Sequence, residues 1–396
     1  MYEKVLLSFY HKGVMKVRVL HTADWHLGKI VNEFSMIEDQ RHALAQLINA
    51  VKKENIDVVI MAGDLYDRSL PPKEAVALAD DVLTQLVNEL GIPVLAIAGN
   101  HDSSERLEYG SRLFTQNNLF IEGTLKHETR KVTLNGIHFY LVPFADPAFV
   151  REKLQRPDIR TMEDAARYQI EAIKEQWNPS ETNVLIAHAY VINGDVDSVE
   201  TSDSERPLSI GTAEYIPVGL FEDFDYVALG HLHKPQKVKE DFIRYSGSLL
   251  KYSKSEANHV KQLTIVSLEK DNVTHVPFHL EPLRNMRVIR ASFEELLQQR
   301  SNDYIFFELT DSDIIFDPMN QLRKKFPNAM GLEYVNRQMM TVTDIAISQS
   351  DLKSKKLPDL FADFYENFTH TTVSSEVRSL IESEFEDAER STYETH

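Results

Sequence analysis

Two hydrophobic periods alternate along this chain. Unbroken apolar runs, short and rich in Val and Ile, predict buried strands at residues 17–20, 57–61 and 93–98. Between them apolar residues recur every three or four positions. Ile37, Leu44, Leu47, Ile48 and Val51 mark one face of a helix over about 35–54, and Pro72 and Gly91 bracket a second helix ending at Leu90. This βαβαβ opening predicts a parallel sheet. Further strands are expected at 137–142, 183–187, 226–229, 243–245 and 262–268. The last of these follow one another without long helices, which predicts an antiparallel second sheet.

The helix after Pro72 is apolar nearly all round, with Val76, Ala79, Leu83, Leu86 and Leu90 on one side and Ala75, Leu78 and Val82 on another. A surface helix needs one stripe, so the surplus implies a second covered face. Either a second copy of the chain covers it, or the helix is wedged between the sheet and residues 107–114. From 286 to 335 strand, helix, strand, helix and strand follow in miniature, a small α/β module with no catalytic set, expected to shape access to the main site. Residues 348–356 are polar and linker-like. Two amphipathic helices follow, one aligning Leu357, Leu360, Phe361, Phe364 and Phe368, the other Val373, Val377, Leu380, Ile381 and Phe385. Neither buries its stripe alone, and a groove on a partner's helix pair is the expected dock.

Composition narrows the class. A chain of 396 residues is expected to form more than one unit, and 42% apolar content suffices for a sizeable core. There is no cysteine, which removes disulfides, thiolate zinc sites and thiol nucleophiles and fits a reducing cytoplasm. No run is long enough for a membrane span, and residues 1–15 read as a disordered extension without a signal peptide's apolar stretch. With 43 basic and 61 acidic side chains the formal charge is −18, unlike a stand-alone nucleic-acid binder. A polynucleotide substrate would need a partner, bound metals or local basic residues to hold it.

The chemistry sits just after the apolar runs. Asp24-Trp25-His26, Gly63-Asp64-Leu65-Tyr66-Asp67, Gly99-Asn100-His101-Asp102, His188 and Gly230-His231-Leu232-His233 each place Asp, Asn or His at an expected strand end. Divalent cations take carboxylate, amide and imidazole ligands, and parallel strands present their C-terminal ends to one crevice. Asp24 and His26, two apart on an extended segment, should point the same way. Asp64, with two carboxylate oxygens, is the natural bridge. One ion is therefore expected at Asp24, His26, Asp64 and His233, and a second at Asp64, Asn100, His188 and His231. Singly each fragment reads as a capped turn or a structural histidine; jointly they read as a two-metal site.

These motifs resemble those of the calcineurin-like metallophosphoesterases. Narrower likeness, to the DNA nuclease subunits within that superfamily, lies in residues 21–29, 201–207, 230–235 and 245–248. The resemblance runs from about residue 16 to the small module and more loosely through the tail. It implies a four-layer α-β-β-α sandwich (residues 16–282), a small capping domain (283–345), and a linker with a helical partner-docking tail (346–396). It also implies a manganese pair, with magnesium or other divalent ions tolerated, a homodimer, and a partner ATPase with coiled-coil arms. The implied activity is Mn²⁺-dependent DNA exonuclease and endonuclease cleavage in end processing and repair.

By the same resemblance His101 protonates or steadies the leaving oxygen, and Asp102 is expected to orient that imidazole. Some relatives carry a second His three residues after the bridging Asp. Here that position is Asp67, so a histidine's phosphate contact is not carried over, and Asp67 is expected to orient His101 or a ligand. Arg68, Arg106, Arg206 and Lys234 lie beside the motifs and are candidates for phosphate contacts, against the ordinary reading of solvated surface charge. Ser246 and Ser248 lack an activating base and are expected to hold the fold near the ligand loop. Two other classes compete: a stand-alone two-metal phosphodiesterase or phosphatase for small substrates, which would need neither the module nor the tail, and a scaffold with structural metals, which would not need His101.

Overall fold

The runs predicted as strands are strands, and they are unbroken because both faces of each are covered. The computed structural model describes residues 16–205, 214–269, 272–335, 358–362, 365 and 373–393. The expected extension 1–15, Arg206, the 348–356 linker, Leu357, Phe364 and Phe368 lie outside the described residues.

Along the chain, β1 (Val17–Thr22), β2 (Val58–Ala62), β3 (Val94–Ile97) and β4 (Leu119–Glu122) open a first sheet. The next six, β5 (Arg130–Leu134), β6 (Ile137–Val142), β7 (Thr182–His188), β8 (Tyr226–Gly230), β9 (Gln236–Val238) and β10 (Glu240–Tyr245), build a second. Then β11 (Gln262–Glu269) and β12 (Asn272–His279) return to the first. The orders are β12-β11-β1-β2-β3-β4 and β9-β10-β8-β7-β6-β5. In the first sheet β1 to β4 are parallel, as expected, with β11 antiparallel on β1.

Alternate residues on each strand serve two cores. Val58, Ile60 and Ala62 of β2 face Val184 and Ile186 of β7 in a layer between the sheets, while Val59 and Met61 pack with helices α1 (Ile37–Lys53) and α2 (Lys73–Thr84). Leu185 and Ala187 of β7 turn the other way, toward helix α3 (Met162–Lys174). The result is the four-layer α-β-β-α sandwich. Phe139, fully buried between the sheets, has no room to be replaced by solvent. Phe139→Ala should cost about 3–5 kcal/mol, read as a drop in the urea midpoint.

The second sheet departs from the antiparallel expectation. Its four inner strands are parallel, and only the edges β5 and β9 run against their neighbours. No helix is needed between β8 and β10, because residues 231–235 reverse the chain to β9 at the edge. The tight β9–β10 hairpin then sends β10 back beside β8. The loop that permits this reversal carries His231 and His233.

The second predicted helix also differs. It is α-helical over Lys73–Thr84 and continues as a π-helical turn over Gln85–Glu89 before Gly91, whose φ is +69°. Its second face lines a cleft of about 490 Å³ shared with Leu107, Tyr109 and Phe114. The segment expected to wedge against this helix therefore flanks it, yet leaves Tyr109, Leu113 and Val76 exposed.

Contacts divide the chain into two units. The first holds residues up to Glu308 together with Ile315–Leu332, so the 282/283 boundary falls inside it. The small module's strands, Met286–Ala291, Tyr304–Leu309 and Ala329–Tyr334, form their own three-stranded sheet. In the first unit, Arg284 and the Tyr304 hydroxyl both bond the buried Asp39 of α1, at 2.8 and 2.9 Å. The second unit, Leu309–Ile314 and Glu333 onward, contains the predicted tail helix Ser375–Tyr393. There Phe385 packs edge-on against Phe361 and Ile381 is buried, while Leu380 remains exposed.

Candidate metal centre

The C-terminal ends of β1, β2, β3, β7 and β8 meet at one place. Asp24, His26 and His233 bring ligand atoms within 4.8 Å of one another; so do Asp24, Asp64 and His188, and so do His26, Asp64 and His101. Asn100 Oδ1 lies 3.0 Å from His188 Nε2. The His231 ring stands 5.6 Å from that of His188, and its backbone N–H donates to both Asp24 oxygens at 3.0 and 3.1 Å. All seven residues expected to hold metal are thus at one site, with Asp64 central.

The local backbone differs from the extended segment expected after β1. Asp24, His26 and Asp64 have φ of +52°, +46° and +55°, and His231 has +110°. Left-handed conformations are unfavourable for such residues and persist where surroundings enforce them. Here Asp24 N donates to Gly63 O and His26 N to Asp64 O, each at 3.0 Å, lacing the two ligand loops together. The buried Gln40 of α1 completes the clamp, donating to the Trp25 and His26 carbonyls and accepting from Gly28 N. In the sequence Gln40 shows only as a polar residue on the apolar stripe between Ile37 and Leu44, with nothing to mark it as functional.

Two glycines are required by close approach. A Cβ on Gly63 would lie 2.2 Å from His188 Nδ1, and one on Gly230 would lie 1.9 Å from the Ala62 carbonyl oxygen. Gly230→Ala should therefore destabilise the fold by at least about 1–3 kcal/mol and displace His188. Thermal melting with and without manganese reads both effects.

The donor set fits divalent cations on its own chemistry. Two imidazole nitrogens, His26 Nε2 and His233 Nε2, face each other at 3.0 Å, and buried His26 Nδ1 has no hydrogen-bond partner among the described residues. Asp24 and Asp64 are almost wholly buried side by side. Burial, then the neighbouring Asp64, raises Asp24 well above the usual carboxylate range; burial pushes Asp64 up to about 6. Burial and neighbouring imidazoles hold His26 and His231 well below an ordinary histidine, in the neutral form that ligates metal. A cation would supply the charge these carboxylates lack.

The remaining candidates sort by position. His101 is buried, and its Nδ1 donates to the Asp67 carbonyl oxygen at 2.8 Å. The Asp102 carboxylate accepts from the backbone N–H groups of Leu65, Tyr66 and Gly99 at 3.0–3.1 Å, stitching the loops after β2 and β3 together. Burial, with Asp64 adding to it, pushes Asp102 up to about 7. The Asp67 side chain pairs with Lys29 at 2.8 Å, so its orienting contact with His101 comes from backbone. Lys234 is occupied by Glu200, Arg68 is exposed, and Arg106 lines the 490 Å³ cleft. Ser248 N donates to the His233 carbonyl at 3.2 Å, as its supporting role requires. Ser204 and Glu205, in the segment 201–207 that carries the narrower likeness, surround His233 together with Glu256 and Lys261, which sequence reading missed because they are placed by long-range folding with no periodicity to mark them.

The chain belongs to the calcineurin-like phosphoesterase family, whose sequence pattern matches residues 17–235. Within that family it is a homologue of a named nuclease component: it is 39% identical over 368 residues to the SbcD subunit of the nuclease SbcCD from Staphylococcus epidermidis, covering 90% of this chain and 95% of that one. Residues 282–369 match a second pattern, described as the type 5 capsule protein repressor C-terminal domain. Among solved structures, a dimetal phosphatase from Danio rerio is 12% identical, at a TM-score of 0.40 over 67% of this chain and 99% of that chain. A protein from Thermus thermophilus is 13% identical, at 0.38 over 66% and 99%. The chain is a phosphoester hydrolase of the SbcD type. No described helix is long and apolar enough to cross a membrane.

Proposed function

We propose that the chain is a manganese-dependent DNA nuclease, a 3′–5′ exonuclease on double strands and an endonuclease on single strands, that processes hairpins and ends in repair and recombination. The observation that carries this reading is the 39% identity to the SbcCD nuclease subunit over 90% of this chain, combined with two carboxylates and four imidazoles converging at strand ends. Residues 16–282 would form the nuclease domain, 283–345 the cap and 346–396 the linker and docking tail. The tail helices would engage an SbcC-type coiled-coil ATPase in the cytoplasm, which supplies the DNA grip that a chain of charge −18 lacks. Exposed apolar Val76, Tyr109 and Leu113 around the cleft beside α2 favour a homodimer there.

Asp24, His26, Asp64 and His233 would hold one cation, and Asp64, Asn100, His188 and His231 the other. When bound, such a pair neutralises phosphodiester oxygens and activates water near neutral pH. His101 has a defined part beside them. A carbonyl oxygen only accepts, so Nδ1 carries the proton given to Asp67, leaving Nε2, 3.9 Å from Asp64 Oδ2, to exchange a proton with the leaving oxygen. Asp102 acts before chemistry, by fixing the loops that carry Asp64 and Asn100.

The purified chain, assayed with manganese on duplex DNA and on a chromogenic phosphodiester, with and without the ATPase, tests this reading. DNA cleavage that the partner enhances is expected. Turnover of the small ester alone would favour a stand-alone phosphodiesterase.

A further inference from the structure

His233 is held at its backbone N–H, its backbone carbonyl and its ring Nδ1. Its N–H donates to Glu205 Oε1 at 2.7 Å, and its carbonyl accepts from Lys261 Nζ at 2.7 Å. Its Nδ1 lies 2.7 Å from Ser204 Oγ, which in turn lies 2.5 Å from Glu256 Oε1; Nδ1 to Glu256 Oε1 is 3.3 Å. Glu256 is fully buried and its other oxygen takes a 2.6 Å ion pair from buried Lys261. A paired carboxylate only accepts, so protons along this chain run from Nδ1–H to Ser204 and from the Ser204 hydroxyl to Glu256. That direction fixes one tautomer and leaves the lone pair on Nε2, which faces His26.

Glu256 does not come from a motif strand. It sits in the short turn Lys254–Asn258, and that turn is tied to the cap. Lys251 Nζ joins the Ala257 carbonyl to Asn285 Oδ1 and the Met286 carbonyl at 3.0 and 3.2 Å, and Lys254 pairs with Glu308 at 2.8 Å. Asn285 and Met286 lead into the first cap strand, and Glu308 lies on the second.

We propose that Glu256 is the positioning residue for His233, holding its imidazole in the tautomer that presents Nε2 to a cation, and that the turn bearing Glu256 couples the cap to the metal site. The proposal rests on the reading of His233 as a metal ligand. Carboxylates in this relation to a ligating histidine typically change metal affinity by about 10–100 fold.

Calorimetric titration of the full chain with manganese tests it. Glu256→Gln should weaken one of two manganese sites by about 10-fold or more, with turnover restored by excess manganese, which a merely structural lesion would not allow. Because the variant leaves Lys261 buried without its partner, Glu256→Gln with Lys261→Met is measured beside it and should show the same loss in a chain that melts normally. Lys251→Met with Lys254→Met, which removes both polar ties to the cap without touching His233, should weaken the same site by a smaller factor. In ¹⁵N-histidine spectra of the metal-free chain, the His233 Nδ1–H tautomer should dominate in the wild type and be lost in Glu256→Gln. Unchanged affinity and tautomer in a folded Glu256 variant would overturn the positioning role, and unchanged affinity in the Lys251→Met, Lys254→Met double variant would overturn the coupling. Failure of the wild type to bind manganese would instead overturn the metal-site reading itself.

Discussion

Asp64→Asn should lower manganese-dependent hydrolysis by at least about 10³-fold, since each bound cation contributes several kcal/mol of charge stabilisation and about 1.4 kcal/mol is worth tenfold in rate. Asp64 lies within reach of ligand groups from both halves of the site, at 3.6 Å from His26 Nε2 and 3.5 Å from His188 Nε2. Asn keeps the volume and the acceptor that holds His101 N at 2.9 Å, so the loop should survive. It removes the charge. Stability should move the other way. Burial raises Asp64 to about 6 in the folded chain, above an unfolded carboxyl, so the folded state binds that proton more tightly and loses stability as pH rises through 6. At pH 7.5 and without metal, the variant should therefore melt no lower than the wild type while failing to bind two ions. Calorimetry and a chromogenic ester read the two effects separately; wild-type turnover with one ion bound would remove Asp64 from its bridging role.

His101→Ala should leave both metals bound and reduce turnover by about 10²–10⁴ fold, the share usually carried by a general acid. The ring is held by a backbone carbonyl and stacks edge-on against His26 at 4.6 Å, so its loss removes a proton carrier and some packing while sparing the seven ligands. The loss should shrink on substrates whose leaving group needs no proton. A nitrophenyl ester should accordingly be far less affected than DNA. Equal loss on both would make His101 a packing residue, and weakened metal binding would make it a ligand, as its convergence with His26 and Asp64 allows.

The site was readable from sequence because parallel strands deliver their ends to one crevice, so Asp24, Asp64, Asn100, His188 and His233 follow apolar runs in plain order. What surrounds them was not readable. Asp102 follows His101 directly, and only the folded loops reveal that its oxygens reach Leu65 and Tyr66. Glu256, in a short turn, and Lys261, just before β11, meet His233 across 23 and 28 residues with no repeat to mark them. The second sheet was misjudged because short connections usually join antiparallel neighbours, whereas here a hairpin slots β10 between β8 and β9. The tail helix was legible as an amphipathic stripe and is present over Ser375–Tyr393, with Ile381 buried and Leu380 exposed.

The most direct test is anomalous diffraction from crystals of the full chain soaked in manganese. Two peaks are predicted, one among Asp24, His26 and His233 and one among Asn100, His188 and His231, with Asp64 touching both. A site that stays empty at saturating manganese, or a single ion away from Asp64, would contradict the account.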